Sequence, residues 1–197
     1  MKEYYDRRAR EYDDFYRSAG KWTGRDRESW ERELEALAAA IEALPAARTL
    51  DVACGTGFLT RYLRDDVVGL DQSERMLEEA RRAAPHATFV RGDAFDLPFP
   101  DGSFDRVFTA HFYGHLEPDD AARFLGEARR VARELVVVDA SRAHSTVDAE
   151  WQERVLNDGS RWQVFKRFFT PDGLAAELSG GETLHAGHAF VVVRSAS

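Results

Sequence analysis

Between Arg48 and Asp139, short apolar runs alternate with helix-length amphipathic stretches, and this rhythm restricts the fold more than any other feature of the chain. The runs 48–53 (RTLDVA), 67–70, 87–91, 104–109 and 135–139 read as buried strands. Between them, 74–84 and 118–133 have helical periodicity, with Phe124, Leu125, Ala128 and Val131 on one side of the second. A further helix is expected from near Gly57 to Arg64. Strands separated by helices cannot pair as hairpins, so the pattern implies a parallel sheet with helices on both faces, an α/β architecture.

The flanks carry other textures. Residues 25–44 read as one long helix, with Trp30, Leu34, Leu37, Ile41 and Leu44 on its apolar face and Pro45 as its stop. Ahead of it, Tyr4, Tyr5, Tyr12, Phe15 and Tyr16 lie among many charges; they read either as a helical stripe packed on the core or as a lid with polar-tipped rings. After Ala140 the alternation lapses. Residues 148–157 read as helical, and 161–169 (RWQVFKRFF) are aromatic and ambiguous. Thr170 and Pro171 open a short helix to Leu178, as N-cap and first helical residue. The runs 182–185 and 189–194 are close enough to form an antiparallel hairpin at the sheet edge.

The 197 residues are 44% hydrophobic and 31% charged, the balance of a single globular unit. The expected organisation is a helical cap over 1–45 packed as one body with a core over 46–197. A net charge of −8, from 27 basic and 35 acidic residues, argues against a nucleic-acid partner. No apolar run reaches the roughly 18 residues that would span a bilayer, and the charged start MKEYYDRRAR does not read as a signal peptide, so the expected location is the cytoplasm without a membrane partner. Cys54 is the only cysteine, which excludes a disulfide framework and a cysteine-based zinc site; it reads as an unreactive buried thiol.

The chemistry concentrates where the first strand ends. In Asp51-Val-Ala-Cys-Gly55-Thr-Gly57, two glycines let backbone approach a ligand closely, and a following helix would offer free N–H groups. Asp71 ends the second strand, as an acceptor for a ribose diol or as a helix N-cap. Asp93 follows the third strand, which puts three carboxylates along one sheet edge. The run Gly55-Thr-Gly57-Phe-Leu-Thr60 lacks the third glycine of the dinucleotide fingerprint, and Asp51 would repel a pyrophosphate but favour an ammonium group. A nucleoside with a cationic amino-acid end suits this loop better than a diphosphate. No G-K-[ST] run is present, so a P-loop is excluded.

These stretches, LDVACGTGFLT (50–60), VGLDQSERMLEEAR (68–81) and VRGDAFDLPFPDGSFDRVF (90–108) with the terminal edge pair, resemble the class I S-adenosylmethionine-dependent methyltransferases. The resemblance runs from about Tyr4 to Val193. It implies a Rossmann-like three-layer sandwich whose mostly parallel seven-stranded sheet ends in an antiparallel hairpin. It also implies S-adenosylmethionine as cofactor and S-adenosylhomocysteine as product. Carried over residue by residue, it puts Ala53, Gly55 and Gly57 under the methionine moiety and Asp51 near its amino group. Asp71 falls on the ribose hydroxyls with Gln72 beside it, Met76 against the adenine, and Asp93 and the Ala94 N–H at the adenine edge. Thr109 and Ala110 fall along the methionine end, and Tyr5 and Tyr12 at the cofactor carboxylate.

In-line methyl transfer needs alignment and exclusion of water more than it needs a covalent intermediate. A general base helps where the acceptor carries a proton, and His111 and His115 in AHFYGHLEP are the candidates, with a purely structural His115 as the other reading. Tyr113 reads as a pocket wall. Asp139, Arg142 and His144 follow the fifth strand within reach of an acceptor, and Arg161, Lys166 and Arg167 read as a solvated cluster or a complement to an acidic one. Asp139-Ala140 lacks the carboxylate and amide set of metal-assisted transfer, so no metal is expected. The implied partner is a small-molecule acceptor, with the chain a monomer or homodimer. A cofactor-binding fold-alike with other chemistry or a regulatory role is the competing reading. Asp51 and the missing glycine count against an NAD(P)-dependent oxidoreductase.

Overall fold

A computed structural model of the chain describes residues 2–20 and 26–196. Its centre is a seven-stranded sheet built from β1 (Thr49–Val52), β2 (Val67–Asp71), β3 (Thr88–Arg91), β4 (Phe104–Ala110), β5 (Ala132–Ala140), β8 (Glu182–Ala186) and β9 (Phe190–Ala196), in the order β3-β2-β1-β4-β5-β9-β8. The first five strands in that order run parallel, and β9 and β8 close the edge antiparallel. The order reverses between β1 and β4, and at such a reversal the carboxyl ends of two strands part to leave a crevice.

Side-chain alternation divides the apolar residues between the two faces. Val107, Leu135, Val137, Val191 and Val193 join Phe124, Ala128 and Val131 of α4 (Pro118–Val131) and Leu174 of α5 (Pro171–Glu177). Their neighbours Phe108, Val136, Val138, Phe190 and Val192 join Trp30, Leu37 and Ile41 of α2 (Arg27–Glu42). The expected helix over 25–44 is thus present apart from its ends, Arg25 lying outside the described residues. Helix α3 (Glu74–Ala83) starts at Ser73, whose hydroxyl accepts the Met76 N–H, and α5 starts at Thr170, whose hydroxyl accepts the Gly173 N–H.

Two expectations are corrected. No α-helix follows the glycine turn; the interval from β1 to β2 contains a single 3-10 turn, Thr60–Tyr62, before Leu63 becomes extended. Phe58, Leu59 and Thr60 are all buried, so their packing is kept without the helix, but the turn has no helix N-terminus behind it. Residues 149–155 form strand β6 (Ala149–Val155), paired antiparallel with β7 (Arg161–Arg167) in a separate two-stranded ribbon. Trp151 and Val155 are four apart, a spacing that a helix and a strand both place on one face; here that face is exposed.

The amino-terminal segment, α1 (Lys2–Arg8) followed by a 3-10 stretch Ala9–Asp14, lies over the sheet edge. Tyr4 packs with Leu156 and Val164 of the ribbon region, while Tyr16 stacks on Phe58 at 3.9 Å.

Phe124 is fully buried and touches the rings of Phe112 and Tyr113. Phe124→Ala is expected to lower the unfolding free energy by about 3–5 kcal/mol, measured by chemical denaturation.

Candidate active site

The carboxyl end of β1 turns sharply. Ala53, Gly55 and Gly57 all have positive φ, of 59°, 56° and 72°. A Cβ on Gly57 would stand 3.0 Å from the Ala80 Cα of α3, so any side chain there would have to displace helix backbone. Asp51 is buried inside β1. Its Oδ2 accepts the Thr60 hydroxyl at 2.6 Å, and its buried Oδ1 has no hydrogen-bond partner. Burial, only partly offset by Thr60, raises its pKa to about 7.

Asp71 accepts the Gly55 N–H at 3.0 Å on one oxygen and the Ser73 N–H at 2.8 Å on the other. It therefore ties the glycine turn to the start of α3, with Ser73 rather than Asp71 as the cap. Two bonds leave a carboxylate with further acceptor capacity. Burial nevertheless raises its pKa above the usual carboxylate value, against the lowering effect of its backbone donors.

Asp93 and Gln72 are exposed, and Asp93 accepts the Phe95 N–H at 2.9 Å. Met76 and Ala94 are buried. Thr109 is fully buried with its hydroxyl donating to the Val52 carbonyl at 2.8 Å, so it ties β4 to β1 inside the sheet rather than lining a cavity.

The rim between these carboxylates is covered by the amino-terminal segment. Tyr12 comes within 3.8 Å of the Cβ position of Gly55. The Thr56 hydroxyl donates to Asp13 at 2.5 Å, and the Ser73 hydroxyl donates to Asp6 at 2.5 Å. Under Tyr12 and Tyr16 only about 10 Å³ remains, lined by Asp51, Ala53 and Ala110 among others. Tyr5 packs edge-on against Tyr4, and burial holds its phenol well above the ordinary value. Burial likewise raises Tyr12 to about 12 and pushes the Cys54 thiol up, which suits an inert cysteine. Room for a nucleoside at this rim requires the tyrosine rings to withdraw.

Past the same segment lies a cavity of about 1040 Å³, with walls from the amino-terminal segment, the ends of β4 and β5, and the ribbon. His111 and His115 both line it. His111 has a positive φ of 54°, a strained conformation for a non-glycine residue, and its ring packs among Phe15, Tyr16 and Phe190. Its Nε2 is buried without a partner, and burial lowers its pKa to about 4. His115 Nδ1 donates to the Phe165 carbonyl at 2.6 Å, which leaves Nε2 as the acceptor of a neutral ring. Burial, then the Lys166 charge, holds His115 below the ordinary imidazole range.

Sequence reasoning missed the group that organises this pocket. Lys166, read as part of a solvated cluster, is buried and donates to fully buried Asp139 at 2.6 Å. Asp139 also accepts the Gly114 and Ala140 N–H groups at 2.7 and 2.8 Å. Burial alone would raise its pKa, but Lys166, His111 and His115 outweigh that and hold it below the usual carboxylate range. The signal available beforehand was strand alternation in 161–167, with Val164 and Lys166 on one face. Tyr113 is buried with its hydroxyl donating to Glu177 at 2.9 Å, a structural role. No group of three or more His, Cys, Asp or Glu side chains able to hold a metal occurs among the described residues.

The raised pKa of Asp51 has a consequence for folding. A carboxyl that binds its proton more tightly folded than unfolded contributes stability below the unfolded value of 3.8, lost as pH rises through about 7. The stability of the unliganded wild type relative to Asp51→Asn is expected to fall between those limits, with a slope up to about 1.4 kcal/mol per pH unit. Denaturation of both proteins at several pH values measures it, and a flat difference would remove the assignment.

Comparison with known proteins bears on this arrangement. Residues 50–137 match the family model described as a methyltransferase domain. Over 108 residues the chain is 43% identical to a demethylmenaquinone methyltransferase of Beutenbergia cavernae, covering 52% of this chain and 44% of that protein. It is 32% identical over 137 residues to a 2-phytyl-1,4-naphtoquinone methyltransferase of Synechococcus elongatus, covering 62% and 57%. The chain thus spans about half the length of the curated relatives it matches. Among solved structures, a DhpI–SAM–HEP complex superimposes with a TM-score of 0.73 at 28% identity, covering 98% of this chain and 94% of that one. A DhpI–SAH complex matches at a TM-score of 0.68, with the same identity and 98% and 92% coverage. Residues 50–137 therefore resemble a methyltransferase domain, and the chain as a whole has the fold of the solved structures bound to S-adenosylmethionine and S-adenosylhomocysteine, a class I, Rossmann-like arrangement.

Proposed function

We propose that the chain is a methyltransferase that moves the sulfonium methyl of S-adenosylmethionine to an oxygen, nitrogen or carbon atom of a small-molecule acceptor. The observation that carries this reading is the buried, unpartnered Asp51 Oδ1 ahead of the Gly55–Gly57 turn. In its ionised form, which a neighbouring cation would favour, that oxygen fits a cationic amino group. The relatives and solved structures named above support the cofactor, and no helix among the described residues is long and apolar enough to cross a membrane. The reading includes a cytoplasmic location and a monomeric or homodimeric protein.

In this reading Ala53, Gly55, Gly57 and Ala110 border the methionine end. Asp51 faces its amino group, Asp71 takes the ribose hydroxyls, and Gln72, Met76, Asp93 and Ala94 surround the adenine. The bound cofactor would supply an electrophilic methyl group with a neutral leaving group. The chain's own task is to seat the acceptor in line and exclude water. Tyr5, Tyr12 and Tyr16 withdraw to admit the nucleoside and then close as its cover. His111 and His115, both kept neutral by burial and both lining the large cavity, would take a proton from an acceptor hydroxyl or ammonium.

Calorimetric titration with S-adenosylhomocysteine tests the cofactor assignment: saturable one-to-one binding is expected, weakened by roughly 1–3 kcal/mol in Asp71→Ala. An unchanged affinity in that variant would take Asp71 out of the ribose role. If His111 is the proton acceptor, the acid limb of kcat/KM for an accepted substrate falls near pH 4, because activity is lost only when the ring becomes protonated. A limb at the ordinary imidazole value would exclude it.

A further inference from the structure

Residues from three elements close a circuit of hydrogen bonds at the wall of the large cavity. Asp139 of β5 accepts the Gly114 N–H on one oxygen, at 2.7 Å, and the Lys166 ammonium of β7 on the other, at 2.6 Å. Gly114 is followed by His115, and Lys166 is preceded by Phe165. The His115 ring closes the circuit by donating from Nδ1 to the Phe165 carbonyl at 2.6 Å. Because a carbonyl can only accept, the proton of the neutral ring is on Nδ1. The circuit has little slack. A Cβ on Gly114 would stand 2.6 Å from Asp139 Oδ1, so the carboxylate lies directly against the turn that bears His115. Past Lys166 the ribbon is tied to the end of β5, where the Phe169 N–H donates to the Ala140 carbonyl at 2.9 Å.

The two histidines of this wall are not equivalent. His111 Nε2 is shut away from solvent without a partner, and its ring is boxed by Phe15, Tyr16 and Phe190. His115 lines the same cavity, but its Nε2 is not enclosed in this way, and no described residue hydrogen-bonds it. Charges from three elements act on the His115 ring: Lys166 and Arg8 oppose its protonation, and Asp139 favours it. A buried ion pair holds two elements together no better than apolar residues of similar size would. What it adds here is a fixed pair of charges beside a ring whose orientation the same circuit sets.

We propose that Asp139 and Lys166 are positioning residues for His115: they hold the turn and the ribbon on either side of its ring, so that Nδ1 keeps the proton and Nε2 is the nitrogen offered to the cavity. Under the methyltransferase reading, on which this part rests, that nitrogen is the base that takes a proton from the acceptor, and His111 is a wall beside it. The positioning itself does not depend on that reading.

The experiment is long-range proton–nitrogen NMR of the intact chain with isotope-labelled histidine, the His115 ring being assigned by its loss in His115→Gln. The wild type at neutral pH is expected to show a single His115 tautomer, protonated on Nδ1. In Lys166→Met the Asp139 charge is left without its cation, and the onset of His115 protonation is expected about one pH unit or more above that of wild type. Lys166→Arg, which restores the charge, is expected to bring it back toward wild type. Footprinting with diethyl pyrocarbonate, which acylates unprotonated imidazole nitrogens, is expected to label His115 ahead of His111. A wild-type ring protonated on Nε2, or averaging between tautomers, overturns the proposal. So does a His115 titration unmoved in a Lys166→Met variant that melts like wild type, or labelling of His111 first. If Lys166→Met does not fold, Lys166→Gln, which keeps a donor for Asp139 without the charge, decides by the same criterion. None of these measurements uses the cofactor, so failure of S-adenosylhomocysteine to bind would count against the methyltransferase reading alone.

Discussion

The buried Asp139–Lys166 pair joins the three parts of the molecule that meet at the large cavity. Asp139 is the penultimate residue of β5, Gly114 belongs to the turn that bears His115, and Lys166 belongs to the ribbon. Two ions removed from water are stabilising only when their remaining hydrogen-bonding capacity is met. Here the carboxylate receives one ammonium and two backbone N–H groups, so that condition is satisfied on the acidic side. The pair also sets the electrostatics of both histidines. The Asp139 charge favours their protonated forms while burial and the Lys166 charge oppose them, and the balance leaves both rings neutral at physiological pH.

The sheet edge and the cavity are separated by the amino-terminal segment, which contacts both. Its tyrosines cover the glycine turn, its carboxylates Asp6 and Asp13 accept hydrogen bonds from the Ser73 and Thr56 hydroxyls, and its Arg8 lines the large cavity. Ser73 and Thr56 belong to the same two loops that Asp71 ties together. The segment is thus held on the sheet edge by a few polar bonds and by aromatic contacts.

Much of this was legible in the linear chain. Strands β1 to β5, helices α2 to α5 and the terminal hairpin follow from runs whose periodicity and stop residues leave one interpretation, such as Pro45 after Leu44 or Thr170-Pro171 before Leu174. Asp71 follows from its position at the end of β2, and Asp51 from its place two residues before the turn at Ala53. The expected helix behind Gly57 was not found, because buried Phe58, Leu59 and Thr60 satisfy a 3-10 turn as well as a helix. The ribbon was misread because the spacing of Trp151 and Val155 suits period 2 and period 3.6 alike.

The sequence by itself determined the parallel sheet, the glycine turn and the strand-end position of Asp71, since each depends on local periodicity and on backbone conformations that few residues tolerate. Only the tertiary structure decided that Lys166 is buried against Asp139, that the tyrosines lie on the glycine turn, and that Arg8 and Arg154 share a cavity. Those pairings join residues far apart along the chain. A charged side chain carries no mark of whether folding will leave it in water or move it next to a partner; that is settled by which surfaces the rest of the chain brings together.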